Sequence, residues 1–310
     1  MCRHFAYIGD QVSIKSVLFD PPYSLVHQAW SPRWQRHGTM NVDGFGVGWY
    51  ADADPIPARY RRKGPIWADD CLPDIARVTT TSAMLCAVRS ASVGTDTGAS
   101  AAAPYTEGNW LFSLNGALVG WSAAAGGPTT PRRRTAAAAT AETAGESITE
   151  PAPAAPPSMT EAAAAVMRLA GRLSVAELLA LQARCDSSLL WGLVLSRLKA
   201  GELPAAALAG TVSDIWSAGG MGRFNLLLTD GQVIAATAAG DSLCYRHRSD
   251  GIIVASEPSD DDRDWQRVPD GSVVEATAAG VAVRPIAPAE QPGHFAPAAT
   301  AGNPNGRRKA

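Results

Sequence analysis

The second residue of the chain is a cysteine, directly after the initiator methionine. Cysteine is small enough for Met1 to be removed, which leaves Cys2 with a thiol and a free α-amine on adjacent atoms. An α-amine has an unperturbed pKa of roughly 7.7–8.0, so it can take the thiol proton and later hand one to a leaving amine. One residue then supplies both nucleophile and base, and no separate catalytic histidine is needed. The alternative reading is an ordinary buried cysteine.

Three further sites have the right chemistry to serve such a nucleophile. The apolar run from Trp110 to Leu114 ends in Asn115-Gly116, where the Asn amide and the Gly backbone N–H can converge on a developing oxyanion. The same dipeptide is also the favoured turn of a β-hairpin. Arg89 follows an apolar run and precedes small residues, so its guanidinium can clamp a carboxylate with two parallel hydrogen bonds and Ser92 can add a donor. A surface ion pair is the plainer fate of an arginine. Asp186 can hold an ammonium group, or it can cap the helix that begins there.

These residues need elements to position them. Short apolar runs with turn punctuation fill residues 1–121, as in Phe45 to Tyr50, Ala83 to Val88 and Trp110 to Leu114, and they read as strands of one sheet system. From Ser122 to about Met159 the composition falls to Ala, Thr, Pro, Gly and Ser around Arg132, Arg133 and Arg134. That stretch, 122–159, is too poor in large apolar groups to fold alone and reads as a disordered insertion. Helices are expected over Glu161 to Leu173, after Ser174, which stands at capping-box spacing from Glu177, and from Asp186 to a stop at Gly201. Strands resume at Asn225 to Leu228, Val233 to Ala236, Ser242 to Tyr245 and Gly251 to Ala255. Strands, helices, then strands predict an α+β fold with two sheets between helical layers. The tail, 287–310, is expected to be frayed.

Composition excludes several classes of function. The chain has 310 residues, 46% hydrophobic and 18% charged, with a formal net charge of −2. That is enough for a sizeable core and gives no field that would draw nucleic acid or an anionic membrane. No stretch approaches the roughly 20 apolar residues of a bilayer crossing, and the start has no secretory core, so a cytoplasmic protein is expected. Five widely spaced cysteines, Cys2, Cys71, Cys86, Cys185 and Cys244, form no metal-ligand spacing. No disulfide, metal or cofactor is called for.

Taken in chain order, Met1-Cys2, Asn41 to Trp49, Arg89 to Ser92, Asn115-Gly116, Asp186-Ser187 and Ala255 to Pro258 resemble the class II glutamine amidotransferase domain. The resemblance covers nearly all of the chain outside 122–159 and the tail. It implies a four-layer αββα N-terminal-nucleophile hydrolase sandwich over residues 2–286. The opening Met1 to His4, Asp20 to Ser24, Asn41 to Tyr50, Ala58 to Arg62 and Gly64 to Trp67 look most like the actinobacterial amidohydrolases of ergothioneine biosynthesis. That likeness implies cleavage of the γ-glutamyl amide of γ-glutamyl-hercynylcysteine sulfoxide, with Cys2 as nucleophile and Asn115 and Gly116 as the oxyanion hole. Arg89 and Ser92 would hold the glutamyl α-carboxylate and Asp186 its α-amine. The family usually has histidine where this chain has Leu114, which leaves the positioning of Asn115 open.

Two other functions fit parts of the pattern. A glutamine-dependent ammonia donor would need a synthase domain or partner, and the chain after Val283 reads as only a tail. A scaffold with a decayed site would account for Leu114 but not for Cys2, Arg89, Asn115 and Asp186 together. Trp30, Trp34, Trp49 and Trp67 are candidates for packing on a quaternary ammonium, or for the core. The expected partner is a small γ-glutamyl substrate.

Overall fold

The computed structural model describes residues 2–92, 94–126 and 158–287. The first block contains β1 (Arg3–Ser13), α1 (Ile14–Leu18), α2 (Leu25–Trp30), β2 (Gly44–Ala51), β3 (Asp54–Arg62), α3 (Leu72–Val78), β4 (Thr80–Arg89), β5 (Tyr105–Glu107) and β6 (Trp110–Leu118). A helical block follows with α4 (Trp121–Ala124), α5 (Met159–Ala170), α6 (Val175–Leu179), α7 (Asp186–Lys199) and α8 (Pro204–Ser217). The last block contains β7 (Gly222–Thr229), β8 (Val233–Ala238), β9 (Cys244–Arg248), β10 (Gly251–Ala255), β11 (Gln266–Arg267), β12 (Ser272–Thr277) and β13 (Gly280–Pro285).

The strands form a seven-stranded sheet in the order β11-β9-β10-β1-β4-β2-β3 and a six-stranded sheet in the order β13-β12-β8-β7-β6-β5. Residues 1–121 therefore do not build one sheet system as expected. β5 and β6 belong to the second sheet, because β6 pairs with β7 from the end of the chain. A register between segments more than 100 residues apart leaves no local trace in the apolar pattern.

Alternation along β1 shows the layering. Phe5 and Tyr7 pack with Ile14, Val17, Leu18 and Leu25 against the helices of the first block. Ala6 and Ile8 point the other way, into an apolar layer with Leu85, Leu111, Leu227 and Val254. On the far side of the second sheet, Phe112, Leu114, Leu226 and Leu228 meet Leu189, Leu190, Leu208 and Ile215 of α7 and α8. The result is the αββα sandwich. Close contact of the two sheets requires small side chains, and β2 supplies them. A Cβ at Gly46 would lie 2.2 Å from the Ala103 carbonyl, and one at Gly48 would lie 2.7 Å from Leu111.

The helix signals are mostly where the sequence places them. Ser158 with Glu161 and Ser174 with Glu177 both form complete capping boxes, and Gly201 adopts φ 87° just past α7. The edges of the stretch 122–159 are more ordered than its composition predicts. Trp121 to Ala124 is helical, Met159 opens α5, and a Cβ at Gly120 would lie 2.4 Å from the backbone of Ala162. The rest of that stretch, and the tail beyond Ala287, lie outside the described residues. Among the described residues no helix is long and apolar enough to cross a membrane.

Candidate active site

Cys2 stands at the entrance of β1, which is hydrogen-bonded to β10 on one side and β4 on the other. Backbone ladders on both edges fix the first residues of the chain, and Cys2 itself remains partly exposed. It lines a narrow cavity with about 10 Å³ of accessible space together with Arg89, Tyr105, Ser113, Leu114 and Ser187. A larger cleft of about 470 Å³ lies at the other end of β1, between Gly9, Asp10, Arg248 and Asp250. Gly9 is six residues beyond Arg3, about 20 Å along a strand, and that cleft contains no cysteine or serine nucleophile paired with a base.

Arg89 is the last residue of β4 and is buried. Its Nη2 donates to Thr95 Oγ1 at 3.0 Å and to the Asp96 carbonyl at 2.7 Å. Its Nη1 is buried without a partner. The surface ion pair is therefore ruled out, and one face of the guanidinium remains available to a carboxylate. Asp43 holds the backbone here, accepting from Ala91 N at 2.7 Å while its own N–H donates to the Arg89 carbonyl at 2.9 Å. Ser92 is exposed and is not among the residues that line the cavity; its carbonyl accepts from Thr95 Oγ1 at 2.7 Å.

Asn115 lies within β6, opposite Asn225, and Gly116 is opposite Phe224. This excludes the hairpin turn, since the strand continues to Leu118. Gly116 is needed because a Cβ there would lie 1.9 Å from the Arg223 carbonyl of β7. The Asn115 side chain is fully buried. Both ends of its amide are satisfied when the nitrogen donates to the Cys2 carbonyl at 2.5 Å and the oxygen accepts from Arg3 Nη1 at 3.3 Å. The oxyanion candidate is thus tied to the backbone of the candidate nucleophile. Leu114, in the position of the family's histidine, turns into the helical side of the core.

Asp186 occupies the first helical position of α7, and the cap position is Cys185. Its oxygens accept from Leu118 N at 3.1 Å and Ser187 N at 2.8 Å, joining the end of β6 to the start of α7. Burial raises its pKa, opposed by those hydrogen bonds and by the nearby Arg89 charge. Arg89 and Asp186 therefore sit within each other's field. Ser187, which follows Asp186, is the one of the two that lines the cavity.

Sequence reasoning missed the support around Cys2. His4 is completely buried and its Nδ1 lies 3.0 Å from Ser113 Oγ. Burial, with a smaller contribution from Arg3, pushes its pKa down to about 3. A neutral imidazole that weakly basic is a poor proton acceptor. Arg3 has no exposure and faces Glu257 at 3.7 Å. Glu257 in turn accepts from Arg33 N at 3.0 Å and Trp34 N at 2.7 Å. The Ser-Glu-Pro run at 256–258 was a visible signal for this support, although its role depends on pairing across the whole chain.

Among the described residues no group of three or more His, Cys, Asp or Glu is arranged to hold a metal ion. Solved structures with this architecture are class II glutamine amidotransferase domains. One is a glutamine aminotransferase class-II domain protein from Silicibacter pomeroyi, at a TM-score of 0.58 and 22% identity over 93% of this chain and 100% of that one. Another is the B. subtilis glutamine phosphoribosylpyrophosphate amidotransferase complexed with ADP and GMP, at 0.57 and 15% over 92% of this chain and 49% of that one. The fold is thus that of an N-terminal-nucleophile hydrolase of the class II amidotransferase type.

No family model matches the chain. Three curated relatives do, all named gamma-glutamyl-hercynylcysteine sulfoxide hydrolase. Those from two strains of Mycobacterium tuberculosis are each 32% identical over 292 residues, 94% of this chain and 100% of the relative. The one from Mycolicibacterium smegmatis is 30% identical over 286 residues, 92% and 100% respectively. The chain belongs to this hydrolase family, and it is an amidohydrolase.

Proposed function

We propose that the chain hydrolyses the γ-glutamyl amide of γ-glutamyl-hercynylcysteine sulfoxide, releasing glutamate and hercynylcysteine sulfoxide, with Cys2 as nucleophile after loss of Met1. The observation that carries this reading is that Cys2 and Arg89 line one small cavity, with Arg89 Nη1 buried and without a partner among the described residues. Cys2 attacks the γ-carbonyl while its α-amine takes the thiol proton. The tetrahedral oxyanion is met by the Asn115 amide and the Gly116 N–H. The α-amine passes its proton to the departing amine, and water then cleaves the γ-glutamyl thioester through the same oxyanion hole. Arg89 reads the glutamyl α-carboxylate and Asp186 its α-ammonium. Ser92 adds a donor to the same carboxylate.

A single catalytic domain over residues 2–286, with an insertion at about 122–159, performs this. Intact-mass analysis combined with product detection by mass spectrometry tests the proposal. The expected result is a purified chain lacking Met1 that releases glutamate from the sulfoxide substrate, and a Cys2→Ala variant that releases none. Full turnover by Cys2→Ala, or by a chain retaining Met1, overturns it.

A further inference from the structure

His4 takes no part in the hydrolysis, yet it is a fully buried polar residue beside the candidate nucleophile. Its Nε2 has no partner among the described residues, while its Nδ1 lies 3.0 Å from Ser113 Oγ. Together these choose the tautomer. A neutral imidazole carries one N–H, and a buried N–H without an acceptor is costlier than a buried lone pair without a donor. The proton therefore belongs on Nδ1, which gives it to Ser113 Oγ. Burial holds the His4 pKa down at about 3, so the ring stays neutral and this bond persists through the neutral pH range.

Strand alternation decides what else Ser113 can reach. Even-numbered residues of β1 face the second sheet, since Ala6 and Ile8 enter the layer that contains Leu111 and His4 meets Ser113. On β6 that same face carries Leu111, Ser113 and Asn115 in succession, and the Asn115 amide reaches the Cys2 carbonyl at 2.5 Å. Ser113 is thus one step from Cys2, and the two side chains line one cavity. That cavity has about 10 Å³ of accessible space, room for one water at most. A serine hydroxyl that accepts from His4 still has its own proton to give. Among the other side chains around the cavity, Arg89 can only donate, the Tyr105 hydroxyl donates to the Ala101 carbonyl at 3.0 Å, and the Ser187 hydroxyl lies 3.4 Å from Asp186 Oδ1. The Cys2 sulfur is the side-chain acceptor that remains.

Resting on the function proposed above, we infer that Ser113 is a further catalytic residue whose hydroxyl donates to the Cys2 sulfur, and that His4 positions it by occupying its acceptor side. A hydrogen bond to an ionised acceptor is roughly twice as strong as one between neutral groups, so this bond favours the thiolate that attacks the γ-carbonyl. The thiol proton still goes to the α-amine of Cys2. Ser113 keeps its own proton throughout and is not a relay. The charged groups around Cys2 are Arg3 on β1, Arg89 at the end of β4, Asp186 at the start of α7, and Glu257, which follows β10 and pairs with Arg3. Substitution of Ser113 leaves all four in place, so its contribution is read by difference.

Two measurements on the full chain, freed of Met1, test this. Nitrogen NMR of protein with isotopically labelled histidine should show His4 as the Nδ1–H tautomer. An Nε2–H tautomer overturns the inference, because Ser113 would then have to give its proton to Nδ1. Alkylation of Cys2 by iodoacetamide is followed by peptide mass spectrometry, which counts the exposed Cys71 separately. Ser113→Ala should slow it about tenfold at pH 7, as for loss of one hydrogen bond to a charged group, and by progressively less as rising pH ionises the thiol unaided. His4→Leu, checked for folding by thermal melts, should slow it by part of that factor, and the double variant by no more than Ser113→Ala alone. Alkylation of Ser113→Ala at the wild-type rate, or slowed equally at every pH, overturns the inference. Turnover of a γ-glutamyl amide is measured beside it. A protein that shows the alkylation effect but cleaves no γ-glutamyl amide sinks the proposed hydrolysis and leaves the Ser113–Cys2 bond standing, and hydrolysis with alkylation indifferent to Ser113 does the reverse.

Discussion

Arg3 and Glu257 form an ion pair at 3.7 Å with side-chain exposures of 0% and 1%, directly beside the candidate nucleophile. One partner follows Cys2 in sequence and the other is near the end of the domain. Burial lowers the Arg3 pKa, with Glu257 first among the charges that oppose the shift. Because Arg3 Nη1 also reaches the Asn115 amide oxygen, this pair connects the start of β1, the Asn115 amide and the loop at Arg33 and Trp34.

Glu257→Gln should therefore destabilise strongly, by about 3–5 kcal/mol, since it leaves a buried guanidinium without its counter-charge. Urea denaturation measures the loss. Pairing it with Arg3→Met should recover part of the stability while turnover remains low, because the Asn115 amide loses its anchor.

Asn115→Ala should lower kcat by about 10²–10³ with a much smaller change in KM, as for removal of one oxyanion donor. Steady-state kinetics decide the matter, and a change confined to KM would make Asn115 a binding residue. The variant also leaves Arg3 Nη1 without an acceptor, so kinetics belong alongside a melting curve.

Arg89 and Asp186 are expected to read the two charges of the glutamyl group separately. Loss of either should reduce kcat/KM about tenfold to a hundredfold, and Arg89→Lys should recover little because an ammonium lacks the planar fork. Paired analogues check this, one with the α-carboxylate amidated and one without the α-amine. Arg89 variants should become indifferent to the first change and Asp186 variants to the second.

His4 predicts a pH dependence of stability. Its folded pKa of about 3 lies below the unfolded value of 6.5. Between those values the unfolded chain binds the extra proton, so stability falls as pH drops below about 6.5 and continues to fall towards 3. The loss should reach the order of a few kcal/mol. His4→Gln should flatten this part of the curve, read as the urea midpoint at a series of pH values from 7 to about 4.

Much of the candidate site was legible because its residues stand in short strings. Cys2 follows Met1, Arg89 ends an apolar run, and Asn115-Gly116 ends another, so order and residue type were enough to select them. What surrounds them was not legible. His4 meets Ser113, Arg3 meets Glu257 and Asn115 meets Asn225 only because β1 pairs with β10 and β6 pairs with β7. Those registers are set by burial across the whole domain. The Asn-Gly dipeptide shows the same limit, since the local turn preference was overridden by the close approach of β7 at Gly116. Helix α8 carried weak local signals, being rich in alanine, and its place is set by packing of Leu208, Val212 and Ile215 onto the second sheet.

Chain ends usually fray first, and here the fold reverses that order. Residues Arg3 to Ile8 are paired to β4, and Phe5 to Gly9 to β10, with apolar layers on both faces. Their amides cannot exchange with solvent by local fraying and must wait for the sandwich itself to open. Cys2 is thus borne on one of the slowest-opening segments of the molecule. Backbone hydrogen exchange should find the longest-protected amides within ten residues of the chain's beginning.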